Sequence, residues 1–223
     1  MWCIPPEQSA AFVAKMENVL KVYKRPYDPK MPVICMDEKP YQLLGDKIKP
    51  IPMKNGSPKK IDFEYERNGT CCIFVFTEPL KGWRRVAARE RRTRVDFAQE
   101  VKRLLTVNYP DAPKICLVLD NLNTHSIAAL YQAFPPEEAS AYADRLELHF
   151  TPAHGSWLNI AEIELSVLAR QCLKRRVGTI NELNNQMNLW STSRNASQKS
   201  VDWQYTTKDA RVHLKRLYPI ILQ

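Results

Sequence analysis

Apolar positions along the chain fall into two kinds of pattern, stripes at helical spacing and short unbroken runs. Between Glu7 and Tyr23, the residues Phe12, Val13, Met16, Val19, Leu20 and Tyr23 recur three or four apart, which predicts an amphipathic helix. Pro32-Val33-Ile34-Cys35-Met36 is a short apolar run bounded by turn residues, a buried strand that delivers Asp37 at its end. Residues 39–60, rich in lysine and proline and without periodicity, predict an exposed basic loop or arm. Ile61–Tyr65 is expected to be a strand, Asn68-Gly69 a hairpin turn, and Cys71–Thr77 and Trp83–Ala88 two further strands of a meander.

The second half alternates. Thr93 caps a helix expected from Arg94 to about Tyr109. Lys114–Leu119 is a fully apolar strand ending on Asp120, Ser126–Phe134 a short helix, and Leu146–Phe150 another strand. A stripe at Leu158, Ala161, Leu165, Leu168, Ala169 and Cys172 predicts a helix from Leu158 to about Arg175, and Thr179 and Thr207 are expected to cap two more. Early strands followed by alternating strand and helix describe an α/β fold, a mixed sheet of five strands flanked by helices. In such sheets functional side chains gather at the carboxyl ends of strands, where Asp37 and Asp120 both fall.

Charge changes the picture. The 223 residues carry 33 Lys+Arg against 24 Asp+Glu, a net +9, which points to a polyanionic partner, most often nucleic acid. The excess is uneven: residues 110–165 hold eight acids and two bases, net −6, so the rest of the chain carries +15. With six glycines and no Gly-rich phosphate-binding motif, nucleotide-cradle enzymes are excluded. The six cysteines form no C-x-x-C pair, and Cys71 and Cys72 are adjacent; reduced, buried thiols in a cytoplasmic protein are expected. No apolar run is long enough to span a membrane, and the Met1–Pro6 opening is unlike a signal peptide.

Two aspartates closing two buried strands and a glutamate on a later helix supply hard oxygen ligands for a pair of Mg²⁺ ions, with room for water and phosphate. By placement alone, an aspartate at a strand end is more often a turn or capping residue than a metal ligand. Three strings decide more: Cys35-Met36-Asp37-Glu38-Lys39-Pro40, Leu117-Val118-Leu119-Asp120-Asn121-Leu122-Asn123-Thr124-His125, and Thr151-Pro152-Ala153-His154-Gly155-Ser156-Trp157-Leu158-Asn159-Ile160-Ala161-Glu162. Together they resemble the catalytic domain of DDE transposases, in the bacterial insertion-sequence branch of the mariner superfamily. The likeness runs from the Trp2–Pro6 opening to the closing Lys215–Pro219, nearly the whole chain.

The resemblance implies a ribonuclease H-like fold with Asp37, Asp120 and Glu162 as catalytic metal ligands for two Mg²⁺ or Mn²⁺ ions. Glu164 competes with Glu162, but at 100° per residue the two lie about 200° apart on a helix, so only one can converge on the aspartates. Glu162 is nearer the apolar stripe. Glu38 and Glu164 are expected to be solvated or supporting acids. His125, His154 and Asn121 are implied beside the triad, orienting phosphate, water or a ligating carboxylate; Trp157 stacks on a base or packs into the core. Nine bases between Lys81 and Arg103, including Arg84, Arg85, Arg91, Arg92 and Arg94, and the later Lys174-Arg175-Arg176, are expected to contact DNA phosphates.

The expected organisation is a lead-in over 1–31, a catalytic core over 32–176 and a helical extension of the same domain over 177–223. The implied function is metal-dependent DNA cleavage at element ends and transfer of the freed 3′-hydroxyl into target DNA, by a homodimer in the bacterial cytoplasm. A catalytically silent relic or domesticated DNA-binding protein, and a nuclease acting by hydrolysis alone, are the other readings. Full members of the family carry N-terminal helix-turn-helix modules, whereas here one helix precedes the first strand. A split-frame product, a relic or a fragment is therefore expected, with a separate helix-turn-helix polypeptide as a further partner.

Overall fold

In the computed structural model, which describes residues 7–220, the apolar runs pair into one five-stranded sheet of order β3-β2-β1-β4-β5. The strands are β1 Val33–Asp46, β2 Tyr65–Glu78, β3 Trp83–Arg89, β4 Ile115–Leu119 and β5 Leu146–Phe150. β1, β2 and β3 run as an antiparallel meander, and β4 and β5 add parallel to β1 on its other side. This is the five-stranded mixed sheet that the strand pattern predicted, in the ribonuclease H-like form that the resemblance implied.

Both faces of the sheet are covered, which is why its strands read as unbroken apolar runs rather than alternating ones. Successive side chains point to opposite faces. Ile34 and Met36 of β1, with Phe74 and Phe76 of β2 and Leu117 and Leu119 of β4, meet α2 (Arg94–Arg103), α3 (Ala128–Ala133) and α4 (Pro136–Asp144). On the opposite face, Cys35, Cys116 and Val118 pack under α1 (Ala10–Tyr23) and α7 (Thr207–His213). Ile73, Val75 and Val86 pack under α5 (Ala161–Gln171) and α6 (Ile180–Ala196). Residues beyond 176 thus complete the core: Leu183 and Met187 of α6 are fully buried against the meander.

Several elements differ from expectation, each for a local reason. β1 continues through the polar stretch to Asp46 because β2 pairs with it all the way to Tyr65, and only residues 47–64 form the connecting arm. Asn68-Gly69 is therefore not a hairpin turn. The register slips by one residue opposite Leu43, and Gly69, at φ 96°, supplies the left-handed conformation of a bulge inside β2. Residues 61–64 lie outside β2. α4 was not anticipated; Pro136 occupies its first turn, where a missing N–H costs nothing. The helix after Thr93 ends at Arg103 and continues as a π-helical turn, Leu104–Asn108. The final cap is Thr206, not Thr207, in a reciprocal capping box with Asp209.

Cys35, Cys71, Cys72 and Cys116 are buried free thiols and Cys172 is half-buried, as expected for reduced cysteines; Cys3 and the rest of the Met1–Pro6 opening lie outside the described residues. Among the described residues no helix is long and apolar enough to cross a membrane.

Candidate active site

The parallel register between β1 and β4 sets two of the acids side by side. Cys35 is level with Val118, so two residues further along Asp37 is level with Asp120, which leaves the end of β4. Strand alternation then turns Asp37 toward the α5 face and Glu38 toward the α2–α3 face. On the α5 side an open groove of about 500 Å³ is lined by Asp37, Lys39, Glu162, Leu165, Ala169 and Arg170.

Glu162 enters from the first turn of α5, and the approach to that turn is tied down. Asn159, buried, donates from Nδ2 to the Met36 carbonyl at 2.7 Å, while its Oδ1 accepts from the Ala161 N–H at 3.1 Å. One side chain thereby caps the start of α5 and fastens it to β1 at the residue preceding Asp37. Tyr23 of α1 fastens the same turn from the other side, donating to the Leu158 carbonyl at 2.6 Å. Asn159 was quoted in the sequence strings without a role; its signal was its place three residues before Glu162.

Asp37, Asp120 and Glu162 sense one another electrostatically. Burial pushes the Asp37 carboxyl up to about 7; the Glu38 N–H, 2.7 Å from its Oδ1, opposes the rise, and the charges of Asp120 and Glu162 add to it. Among the described residues no lysine or arginine forms an ion pair with Asp37 or Glu162. The donor set is all hard carboxylate oxygen and crowded, which fits a divalent cation of the Mg²⁺ or Mn²⁺ class.

Behind the aspartates sits a relay that sequence reasoning saw only in part. His125, fully buried, has Nδ1 2.5 Å from Asp120 Oδ1 and Nε2 2.9 Å from Glu38 Oε1. Its ring lies on Phe97, centroids 4.8 Å apart. Burial alone would favour the neutral ring, but the two carboxylates outweigh it and raise the imidazole to about 9, so it is cationic at neutral pH. Glu38 thus supports His125, and His125 orients Asp120.

Residues 32–184 match the family model of the DDE superfamily endonucleases. The chain belongs to that family. No curated protein matches this DDE endonuclease chain. Among solved structures it is similar to the Mos1 strand transfer complex, with a TM-score of 0.58 and 14% identity over 85% of this chain and 55% of the other. It is also similar to the Mos1 mariner paired end complex with Mn, with a TM-score of 0.54 and 16% identity over 85% and 57%. The likeness is one of fold, and the chain spans just over half the length of those it matches.

The remaining expected site residues divide. His154 and Asn121 are exposed and line a separate groove of about 270 Å³ with Ser9, Phe12 and Lys15 of the α1 region. His154 holds a left-handed backbone at φ 61°, unusual for a residue other than glycine. Trp157 packs with the α1 core cluster and meets the Tyr205 ring edge-on at 6.2 Å, in keeping with packing.

Two of the basic residues expected on DNA are buried inside the DDE endonuclease chain. Arg84 is 1% exposed and pairs through Nε with Glu164 Oε2 at 3.1 Å; Arg194 of α6 meets the other oxygen at 3.1 Å. Arg85 is 9% exposed and pairs with Glu100 of α2, which also accepts from Arg89 Nε at 2.6 Å. Both sit on β3, whose two faces are covered by α2 and α6, so their charges meet internal carboxylates. Glu164 is correspondingly a buried partner and not a solvated acid. Arg176 is likewise engaged, with Asp46 at 3.1 Å and with the carbonyls of Asp62, Phe63 and Glu64. Arg91, Arg92, Arg94, Lys174 and Arg175 are exposed. The amide of Asp96 in the first turn of α2 is already capped by Thr93, so the arginine side chains, not this amide, are the exposed donors there.

Proposed function

We propose that this chain is the catalytic domain of a transposase that cleaves DNA at the ends of a mobile element and joins the freed 3′-hydroxyl to target DNA. One observation carries the proposal: Asp37, Asp120 and Glu162 gather at the carboxyl ends of neighbouring parallel strands and the start of α5, and neither Asp37 nor Glu162 has the arginine partners given to the buried Glu100 and Glu164. Membership in the DDE endonucleases supports it, as does likeness to the fold of a chain found in a strand transfer complex and in a paired end complex with Mn.

In this reading Asp37, Asp120 and Glu162 would hold the Mg²⁺ or Mn²⁺ ions, two being expected, through their carboxylate oxygens. Such ions activate the attacking oxygen and stabilise the leaving oxygen of an in-line phosphodiester displacement. His125, held by Glu38 and Phe97, fixes the Asp120 carboxylate. Asn159 and Tyr23 hold the start of α5 so that Glu162 faces Asp37. Arg91, Arg92, Arg94, Lys174 and Arg175 hold the phosphate backbone without reading sequence.

Purified protein with Mn²⁺ or Mg²⁺ and labelled DNA carrying the inverted repeats that flank its reading frame tests this directly. Metal-dependent nicking followed by strand joining, both lost in Asp120→Asn, is expected. Cleavage that survives Asp120→Asn overturns the assignment, cleavage without joining makes the protein a hydrolytic nuclease, and DNA binding without cleavage makes it a binding relic.

A further inference from the structure

On the face of the sheet covered by α1, Cys116 of β4 and Glu147 and His149 of β5 bring a sulfur, a carboxylate oxygen and an imidazole nitrogen within 4.8 Å of one another. The strand register builds the group: Cys116 lies opposite Glu147 and Val118 opposite His149, so alternate positions of the two strands share one face. Cys116 and His149 are buried, while the Glu147 side chain is 31% exposed and opens a path to solvent. Cys116 precedes Asp120 by four residues on a 3.3 Å rise, so the group stands well back from the catalytic acids.

The hydrogen bonds here contain a conflict. His149 Nδ1 lies 2.6 Å from Asn18 Oδ1 of α1, and its Nε2 lies 2.6 Å from Glu147 Oε1. Two acceptor oxygens thus face the two nitrogens of one ring, and a neutral imidazole has a single N–H to offer. Donation to Asn18 leaves the Nε2 lone pair pointing at a carboxylate. A second ring proton or a turned Asn18 amide resolves this, and so does a metal ion at Nε2, for which the surroundings have the form that ligands usually receive: the ring nitrogen away from the ion meets an amide, and Glu147 is held by Arg25 at 2.7 Å.

We propose that Cys116, Glu147 and His149 form a structural metal site of the zinc class, with water as fourth ligand, tying edge strand β5 to β4 and, through Asn18 and Arg25, to α1. Thiolate with imidazole and carboxylate selects Zn²⁺ or Co²⁺ over the Mg²⁺ and Mn²⁺ suited to the catalytic carboxylates. On binding, the Cys116 S–H bond breaks, its electron pair becomes the metal–sulfur bond, and one proton goes to solvent.

The test is a Co²⁺ titration of the full chain carrying Asp120→Asn and Glu162→Gln, which removes catalytic metal binding and keeps this outcome independent of any DNA reaction. One equivalent should bind with a thiolate-to-cobalt absorption in the near ultraviolet, release one proton, and be displaced by Zn²⁺, which should also raise the melting temperature. Cys116→Ser should abolish the band, and Asn18→Ala should weaken binding by about tenfold or more. A folded protein that binds Co²⁺ without the thiolate band, or not at all, overturns the site and leaves a doubly protonated His149 or a turned Asn18 amide as the answer to the conflict. If Cys116→Ser does not fold, the titration of the parent chain still decides.

Discussion

Glu162 and Glu164 stand two residues apart in the first turn of α5, yet they belong to opposite electrostatic regimes. Glu164 is 2% exposed and gripped by Arg84 and Arg194. Glu162 faces the groove beside Asp37, and among the described residues no basic side chain pairs with it. The same contrast runs through the molecule. Glu100, buried under β3, receives Arg85 and Arg89, whereas Asp37 receives one backbone N–H and the more distant charge of His125 against burial and two more negative charges. Burying a charge is tolerable when a partner is supplied. Where the fold supplies one, the acid is part of the scaffold; where it withholds one, the acid is available for the role proposed above, binding a cation from outside.

The sharpest way to break this comparison is to neutralise each glutamate in turn. Glu162→Gln should reduce metal-dependent cleavage by about a thousandfold, the equivalent of several kcal/mol of lost stabilisation, while leaving the urea unfolding midpoint unchanged or higher. Glu164→Gln should do the reverse in kind. It leaves Arg84 buried beside a neutral amide and should cost about 3–5 kcal/mol of stability, seen as a lower urea midpoint. Equal loss of stability in both variants would erase the distinction.

A smaller effect follows from divalent metal. Mg²⁺ at about a hundred times its dissociation constant should stabilise the folded chain by about 2.7 kcal/mol, and Asp37→Asn should remove most of that gain in a thermal melt. The dependence on pH carries opposite signs in the two regions. In metal-free protein the Asp37 carboxyl is raised from 3.8 to about 7, so the folded chain binds its proton more tightly than the unfolded one, and stability falls as pH rises from about 4 to 7. For Glu100, burial would raise the carboxyl, but Arg85 and Arg89 outweigh it and hold it below its ordinary 4.5. Its contribution is present above that value and is lost as pH falls through the lowered one. Urea midpoints between pH 3 and 8 for wild type, Asp37→Asn and Glu100→Gln should show these two slopes, the Glu100 one below about 4.5 and the Asp37 one between about 4 and 7; a common slope would refute the assignment of partners.

The smallest effect concerns the surface. Replacing Arg91 or Arg175 by alanine should flatten the salt dependence of DNA binding by about one in log–log slope per residue and leave stability within about 0.5 kcal/mol. An arginine of the buried group, Arg84, should instead show its effect in the unfolding midpoint.

Much of the site could be read in advance because its signals are local. The β-branched run of β4 and the turn after it place Asp120 at a strand end, and the string ending on Glu162 names the glutamate that lines the groove with Asp37; nearness to the apolar stripe was a poor guide, because Glu164 is the buried acid of the two and Glu162 is exposed. Other features depend on partners remote in sequence. Arg84 and Arg85 sit in a stretch so basic that solvent or DNA is the natural expectation; Glu164 and Glu100 become their partners only when α5 and α6 close over one face of the sheet and α2 over the other. The link from Glu38 through His125 to Asp120 spans 87 residues and was legible only as a histidine in a suggestive string. The Asn68-Gly69 pair has the composition of a turn, and pairing with β1 on both sides made it a bulge.

By itself, the order of apolar runs and stripes determined the mixed sheet, the strands that carry the aspartates and the helix that carries the glutamate, because burial periodicity is written residue by residue. Tertiary structure alone decided which charges are left without partners. A side chain's charge is fixed by its identity, but its compensation depends on which distant element packs against it; here that difference separates the acids that hold the fold together from those left facing the groove.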